Sequence, residues 1–197
     1  HIGGGDVTEG SYDDAMRDCI SRMASIHFTT SFASTARLVS LGMRNVHLVG
    51  NPAVDYINRE PWQRPREIEE PYVLVSYQPE TFDGTIDLEA AKHAISGRNA
   101  VWISPNPDRG SERVSERIGK EAQSYSHDRF LNLMYHCKEF IGNSSAMFYE
   151  APFLKPGGVK CRMIGKRQRG RVVPWSGDGR CSERIRDVLR LWPHTDR

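Results

Sequence analysis

The chain is predicted to fold as α/β, a doubly wound parallel sheet of the Rossmann-like kind. Three observations lead there. Short apolar runs alternate with stretches of helical periodicity along most of the sequence. One of these runs, YVLVSY at 72–77, reads as a continuous apolar strand, as strands covered on both faces of a parallel sheet do. Finally, FIGNSSAMFYEAP (140–152) sets a glycine and two hydroxyl residues where a buried strand passes into a helix. In open parallel sheets that junction borders the ligand crevice.

Residues 1–10, HIGGGDVTEG, read as a strand end running into a glycine-rich turn. From Tyr12 to about His27, Ala15, Met16, Cys19, Ile20, Met23 and Ala24 recur at helical spacing. Asp13 and Asp14 fall in that helix's first turn, where carboxylates suit the positive end of the dipole. IHFTTS (26–31) is a short buried strand, and Phe32–Leu41 a helix stopped by Gly42. Val46–Val49 is a strand closed by GNPAVD (50–55). Asn58–Pro71, rich in proline and charge, is a surface connection. After the strand at 72–77 come a helix at Leu88–Ile95, a strand at AVWIS (100–104) and a helix over Arg113–Gln123. A helix over Asp128–Cys137 and a strand at EFIG (139–142) follow. The last helix, Ser182–Leu191, carries Ile185, Val188, Leu189 and Trp192 on one face and is stopped by Pro193.

With 197 residues, 38% hydrophobic and 26% charged, the chain can bury the core of one domain or slightly more. A net charge of +2 is too even to make nucleic acid or an anionic membrane surface the main partner. The basic residues are nevertheless clustered: Lys160, Arg162, Lys166, Arg167, Arg169 and Arg171 share one short stretch. Such a cluster suits a phosphate-bearing ligand, with a solvated loop as the plain alternative. Cys19, Cys137, Cys161 and Cys181 show neither CxxC pairing nor metal-ligand spacing, so free thiols in a reducing, cytoplasmic compartment are expected. No apolar run approaches the length of a membrane span. The chain starts inside a motif and without Met, and is read as a fragment, a processed chain or the ordered part of something longer.

At the strand–helix junction, outward-pointing backbone amides and the hydroxyls of Ser144 and Ser145 would accommodate a diphosphate. Glu150, about one and a half helical turns along, would reach a ribose hydroxyl. Ordinary N-capping by Ser145 is the competing explanation.

The phrases HIGGGDVTEG, YDDAMRDCISRMASIHF, LVGNPAVD, PNPDRGS, FIGNSSAMFYEAP, IGKRQRGR and SGDGRCSERI occur in one order. Together they make the chain resemble the UDP-N-acetylglucosamine 2-epimerase family, in particular its hydrolysing, sialic-acid-pathway members. The resemblance implies a GT-B-type pair of Rossmann-like domains with the sugar nucleotide in the cleft between them. On that template residues 1–45 correspond to the end of the first domain and 46–197 to most of the second. The implied reaction removes the proton at C2, expels UDP to leave a glucal, and adds water to give N-acetylmannosamine. It needs no nicotinamide and no metal. The resemblance also implies a UDP-sugar ligand, no nucleic-acid or membrane partner, homo-oligomers, and an N-terminal domain or subunit beyond this sequence.

Residue by residue, Ser144, Ser145, Glu150 and Arg167 match positions that hold UDP, and Arg167 would chelate phosphate oxygens. Asn106 matches a contact on the nucleotide side. Asp13 and Arg17, four apart on one helix face, match an acid and an arginine of the cleft. Without the motif they would read as a surface ion pair. Asp55 matches a further cleft carboxylate, with a turn or cap role as the alternative.

Three departures stand out. Gly3 occupies a place where relatives carry a polar or acidic residue, and glycine transfers no proton. In SYQPETFD (76–83), Gln78 stands where the family has a functional histidine; it hydrogen-bonds but does not titrate near neutrality. The link from Arg171 to Ser176 is also short. These losses leave open a module that binds UDP-sugars without turning them over. A glycosyltransferase of shared architecture is a third possibility.

Overall fold

A computed structural model describes residues 1–10, 12–58, 61–80, 84–174 and 178–192. The stop at Pro193, the end of SYQPETFD and the Ser176 end of the short link lie outside the described residues. The chain divides into two compact units, each drawn from separate stretches of sequence. One comprises 1–6, 15–60 and 172–197; the other comprises 7–14 and 61–171.

The first unit holds a two-stranded parallel sheet, β1 (His27–Thr29) against β2 (Val46–Leu48), with His27 opposite Val46. Ile2 bridges to Phe28 in parallel beside it. Around the sheet lie α1 (Asp13–Met23), α2 (Phe32–Ser40), α3 (Pro52–Ile57) and α8 (Cys181–Leu191). Its core packs Phe28, Val49 and Cys181 against Ile26, Ile185 and Val188. At the start of α2, Ser31 accepts a hydrogen bond from the Ser34 amide, an ordinary N-cap. Helix α3 is not anticipated by the reading of GNPAVD as a turn. Asn51 caps it by accepting from the Ala53 amide at 3.0 Å, and Pro52 sits in its first turn, where a missing N–H costs nothing.

In α1 the apolar residues are not core: Met16, Ile20 and Met23 are 64%, 47% and 77% exposed. The side turned inward is polar. Arg17 donates to the Asp6 carbonyl, Asp18 pairs with Arg37, and the buried Ser21 bonds the ring of His1. Periodicity establishes that a helix has two faces; it does not say which one faces the protein.

The second unit carries a five-stranded parallel sheet in the order β5-β4-β3-β6-β7. Here β3 is Tyr72–Ser76, β4 Asn99–Ile103, β5 Ala122–Gln123, β6 Glu139–Gly142 and β7 Cys161–Met163. Helices α4 (Leu88–Ile95), α5 (Ser111–Ile118), α6 (His127–His136) and α7 (Ala146–Tyr149) connect them. All five residues of β3 are buried, as the apolar run requires of a central strand. From β3 the chain winds outward through β4 to β5, then returns to lay β6 on the other side of β3. That reversal is a topological switch point.

The helix expected over 113–123 is shorter. Gly119, at φ 75°, ends α5, and Ala122–Gln123 pairs with β4 as an edge strand. Strand β7 is a second unanticipated edge. Its three residues are all exposed, so no alternation of burial marks it in sequence. At the mouth of the sheet, Gly142 has φ 140°, and a Cβ there would stand 1.9 Å from the Ser76 carbonyl oxygen. Only glycine lets β6 approach β3 so closely.

Candidate functional site

In the second unit a cavity of about 400 Å³ opens beyond the carboxyl ends of β3, β4 and β6, a size suited to a small-molecule ligand. Ser76, Gln78, Asn106 and Ser144 line it on the polar side; Ser124, Tyr125, His127 and Phe130 contribute from the β5–α6 side.

Its floor is organised by Asn143, which is fully buried. Its side-chain amide copies a strand partner, accepting from the Gln78 amide at 2.6 Å and donating to the Gln78 carbonyl at 2.8 Å. The Gln78 side chain then accepts from the Asn106 amide at 2.8 Å. Its nitrogen lies 3.4 Å from the Ser76 hydroxyl. Gln78 thus ties the loop after β3 to the loop after β4. A buried amide with this many partners is held in one rotamer.

The residues picked from sequence separate into groups. Gln78, Asn106 and Ser144 come together on the cavity wall. Ser144 Oγ accepts from the Ala146 amide at 3.3 Å; Ser145 is exposed and makes no side-chain cap bond. The hydroxyl that caps α7 is therefore Ser144. Arg167 is buried and already engaged. It donates to the Pro79 carbonyl and to Asp108 Oδ2, the latter at 2.9 Å. Glu150, at the end of α7, has a buried Oε2 with no hydrogen-bond partner among the described residues. Burial raises its carboxyl to about 7.

The basic stretch is not a free cationic patch. Arg162 and Lys160 serve the buried Glu139, Arg169 pairs with Glu9, and Arg171 donates to Tyr149 and Thr8. Gln168 Nε2 donates to the Asn143 carbonyl at 2.8 Å, and the Lys166 amide donates to Glu80 at 2.6 Å. The loop is built to wrap the carboxyl ends of β3 and β6. Among the described residues, Lys166 alone of this run is exposed and makes no ion pair.

Asp13 lies in the first turn of α1, and Arg17 belongs to the first unit. Asp55, also there, accepts from the Cys181 and Ser182 amides at 2.9 and 2.6 Å. It caps α8 across more than a hundred residues of sequence. Gly3 has φ 82°, a conformation that strains any residue with a Cβ. The thiols at Cys137 and Cys181 are pushed up by burial to about 12 and 11, which keeps them as inert thiols at neutral pH.

Sequence inspection missed Asn143, Tyr125, His127 and Phe130. Asn143 had a local signal, since it opens the NSSAMFYEA junction. The other three lie before and within α6, and only the pairing of β5 with β4 brings them to the cavity.

Fold and site define a doubly wound, Rossmann-like α/β protein of GT-B type, with a ligand crevice at the switch point of a parallel sheet. The chain belongs to the UDP-N-acetylglucosamine 2-epimerase family, whose profile matches residues 1–189. It is 30% identical over 192 residues to the UDP-N-acetylglucosamine 2-epimerase of Neisseria meningitidis, covering 87% of this chain and 50% of that protein. It is 27% identical over 198 residues to the hydrolysing GDP/UDP-N,N'-diacetylbacillosamine 2-epimerase of Campylobacter jejuni, covering 87% and 51%. The chain thus spans about half the length of the curated relatives it matches. Among solved structures, the Methanocaldococcus jannaschii epimerase in complex with UDP-GlcNAc and UDP superposes with a TM-score of 0.70 at 16% identity, over 98% of this chain and 68% of that one. The Neisseria meningitidis epimerase bound to UDP-GlcNAc gives 0.70 at 16%, over 98% and 69%. At these identities the likeness concerns the fold.

Proposed function

We propose that this chain is the nucleotide-holding part of a hydrolysing 2-epimerase acting on UDP-N-acetylglucosamine. The observation that carries the reading is the cavity at the switch point, where Gln78, Asn106 and Ser144 converge within a chain of this family. The uracil and ribose of UDP occupy the Tyr125, His127 and Phe130 side, where an aromatic wall offers stacking. The diphosphate lies toward Ser144 and Ser145, taking their hydroxyls and nearby amides as donors. Glu150, half-protonated near pH 7, is suited to exchange hydrogen bonds with a ribose hydroxyl in either role. Arg167 acts by holding the Pro79 and Asp108 loops in place.

In the proposed chemistry a base takes the proton from C2 and the C1–O bond breaks. UDP departs with the bonding electron pair. Water then adds across the glucal, its hydroxyl to C1 and a proton to C2 from the other face. Asp13, Arg17 and Asp55 are the candidates that the family resemblance supplies for the proton-transfer side. Donors aimed at the departing diphosphate stabilise the charge that develops there.

The test is to incubate the natural full-length protein with UDP-N-acetylglucosamine in deuterated water and separate the products. Free N-acetylmannosamine with deuterium at C2, together with UDP, is expected. UDP-N-acetylmannosamine without sugar release would identify the non-hydrolysing reaction instead.

A second reading rests on Gly3 and Gln78, neither of which can carry a proton. In it the protein binds the UDP-sugar and does not turn it over. UDP binding by calorimetry, with substrate unchanged in the incubation above, distinguishes it.

A further inference from the structure

Residues 7–14 belong to the second unit, although the chain on either side of them is counted with the first. Within that unit the stretch is docked on the loop 165–171. The Glu9 amide donates to the Arg169 carbonyl at 2.9 Å, and the Glu9 carboxylate pairs with Arg169 at 3.4 Å. Gly10 lies so close that a Cβ there would stand 2.5 Å from the Lys166 carbonyl oxygen, an approach open to glycine alone.

Arg169 already holds the stretch on the loop; what Arg171 adds is a link to α7. Its Nη1 donates to the Tyr149 hydroxyl at 2.5 Å, and its Nη2 donates to the hydroxyl of the buried Thr8. The guanidinium also lies 5.1 Å from the centre of the Tyr149 ring, a cation–π distance. The Thr8 amide in turn donates to Asp14 Oδ1 at 2.7 Å. A planar guanidinium points its donors in fixed directions, so it sets the separation of the two hydroxyls it bridges. Tyr149 precedes Glu150 in the chain, and Asp14 follows Asp13 in the first turn of α1. Arg171 therefore stands between the end of α7 and the residues that open α1.

We infer that Arg171 is a positioning residue of the nucleotide site, acting through Tyr149 on one side and Thr8 on the other. The inference rests on the nucleotide reading above, in which Glu150 meets the ribose. A nucleotide that fixes Glu150 also fixes the neighbouring Tyr149 hydroxyl, where the Arg171 bond requires it. The entropy of ordering Tyr149 and Arg171 is then lost once for both contacts, which couples the nucleotide to the 7–14 stretch. Because such coupling is reciprocal, the docked stretch also tightens nucleotide binding. The same link holds Asp13, a candidate for proton transfer, in register with the nucleotide-holding helix.

The experiment is hydrogen–deuterium exchange on the natural full-length protein, with and without saturating UDP, read by mass spectrometry at 143–150 and at 7–10. In the wild type UDP should slow exchange in both stretches. Two variants cut the bridge: Arg171→Met, and Tyr149→Phe, which removes the hydroxyl and keeps the ring. In each, UDP should still slow exchange at 143–150, while its effect at 7–10 falls at least about 5-fold and UDP affinity by calorimetry drops by a similar factor. Should Arg171→Met fail to fold, Tyr149→Phe carries the test. Undiminished UDP protection at 7–10 in the variants overturns the inference. So does a wild-type 7–10 stretch that ignores UDP while 143–150 responds, since Arg171 would then be a clasp for stability alone. No response at 143–150 in the wild type overturns the nucleotide reading itself, and the inference with it.

Discussion

The side chain of Asn143 and the backbone of Gln78 bond each other in both directions, 2.6 Å one way and 2.8 Å the other. This pair extends the β3–β6 ladder by one rung beyond the last strand residue, using a side chain in place of a strand. It fixes the height at which Gln78 enters the cavity. Replacing Asn143 by Ala orphans a buried N–H and a buried C=O, each worth about 1–3 kcal/mol. Asn143→Ala is therefore expected to lower stability by about 2–4 kcal/mol in urea unfolding and to abolish UDP binding measured by calorimetry. Unchanged UDP affinity in a folded variant would separate the pair from the ligand site.

Glu150 sets a pH dependence. Its folded carboxyl is raised by burial from 4.5 to about 7. Between those values the folded protein holds a proton that the unfolded chain has released, so stability falls as pH rises through that window. Above it the buried charge costs at most roughly 3 kcal/mol, less for whatever solvent reaches the side chain. Glu150→Gln should raise the melting temperature at pH 8 and leave it unchanged at pH 4. A melting difference that does not vary with pH would contradict a carboxyl whose Oε2 is buried without a partner.

Glu139 works in the opposite direction. Burial pushes its carboxyl up, but hydrogen bonds from Arg98 and Arg162 and the charge of Lys160 outweigh it and hold the group below its ordinary value. Such a carboxylate contributes stability that is present above the unfolded pKa, about 4.3, and is lost as pH falls through the folded one. The bond from Arg98 Nη1 is 2.6 Å, whereas Arg162 and Lys160 are 48% and 70% exposed and add little. Glu139→Gln should cost about 3 kcal/mol at pH 7, and the loss should shrink in acid. Guanidinium unfolding at pH 7 and pH 3.5 measures both.

Asp55 gives both carboxylate oxygens to the amides that begin α8. Asp55→Ala should cost about 1–2 kcal/mol through the lost cap, with α8 showing the fastest new amide exchange. If the residue also serves in proton transfer, Asp55→Asn will recover part of the stability and none of the turnover. Equal recovery of both leaves it a cap alone.

Gly142→Ala is expected to be among the most damaging single substitutions in the sheet. The added methyl would meet the Ser76 carbonyl at 1.9 Å, and φ is 140°. A loss of about 3–5 kcal/mol is expected, read as a collapsed melting temperature.

Much of the fold was legible because its signals are local. Strand β3 announced itself as an apolar run, α4 matched its expected span residue for residue, and the strand–helix junction at 139–150 pointed to the ligand crevice. What stayed hidden depended on distant partners. Strands β5 and β7 are two and three residues long, too short for a period, and exist because a neighbouring strand offers hydrogen bonds. The basic stretch invited a phosphate, yet Glu139, Glu9 and Asp108 had been placed beside its arginines by the fold.

By itself, then, the amino-acid order determined the family, the parallel doubly wound class and the position of the strand–helix junction that borders the cavity, since each rests on periodicity or on short contiguous motifs. The tertiary structure alone decided that α1 turns its apolar stripe outward, that Asp55 caps a helix begun 126 positions later, and that Asn143 rather than Ser145 organises the cavity. Those outcomes are choices among partners far apart in sequence. Burial and hydrogen bonding select them only once the chain has brought the candidates together.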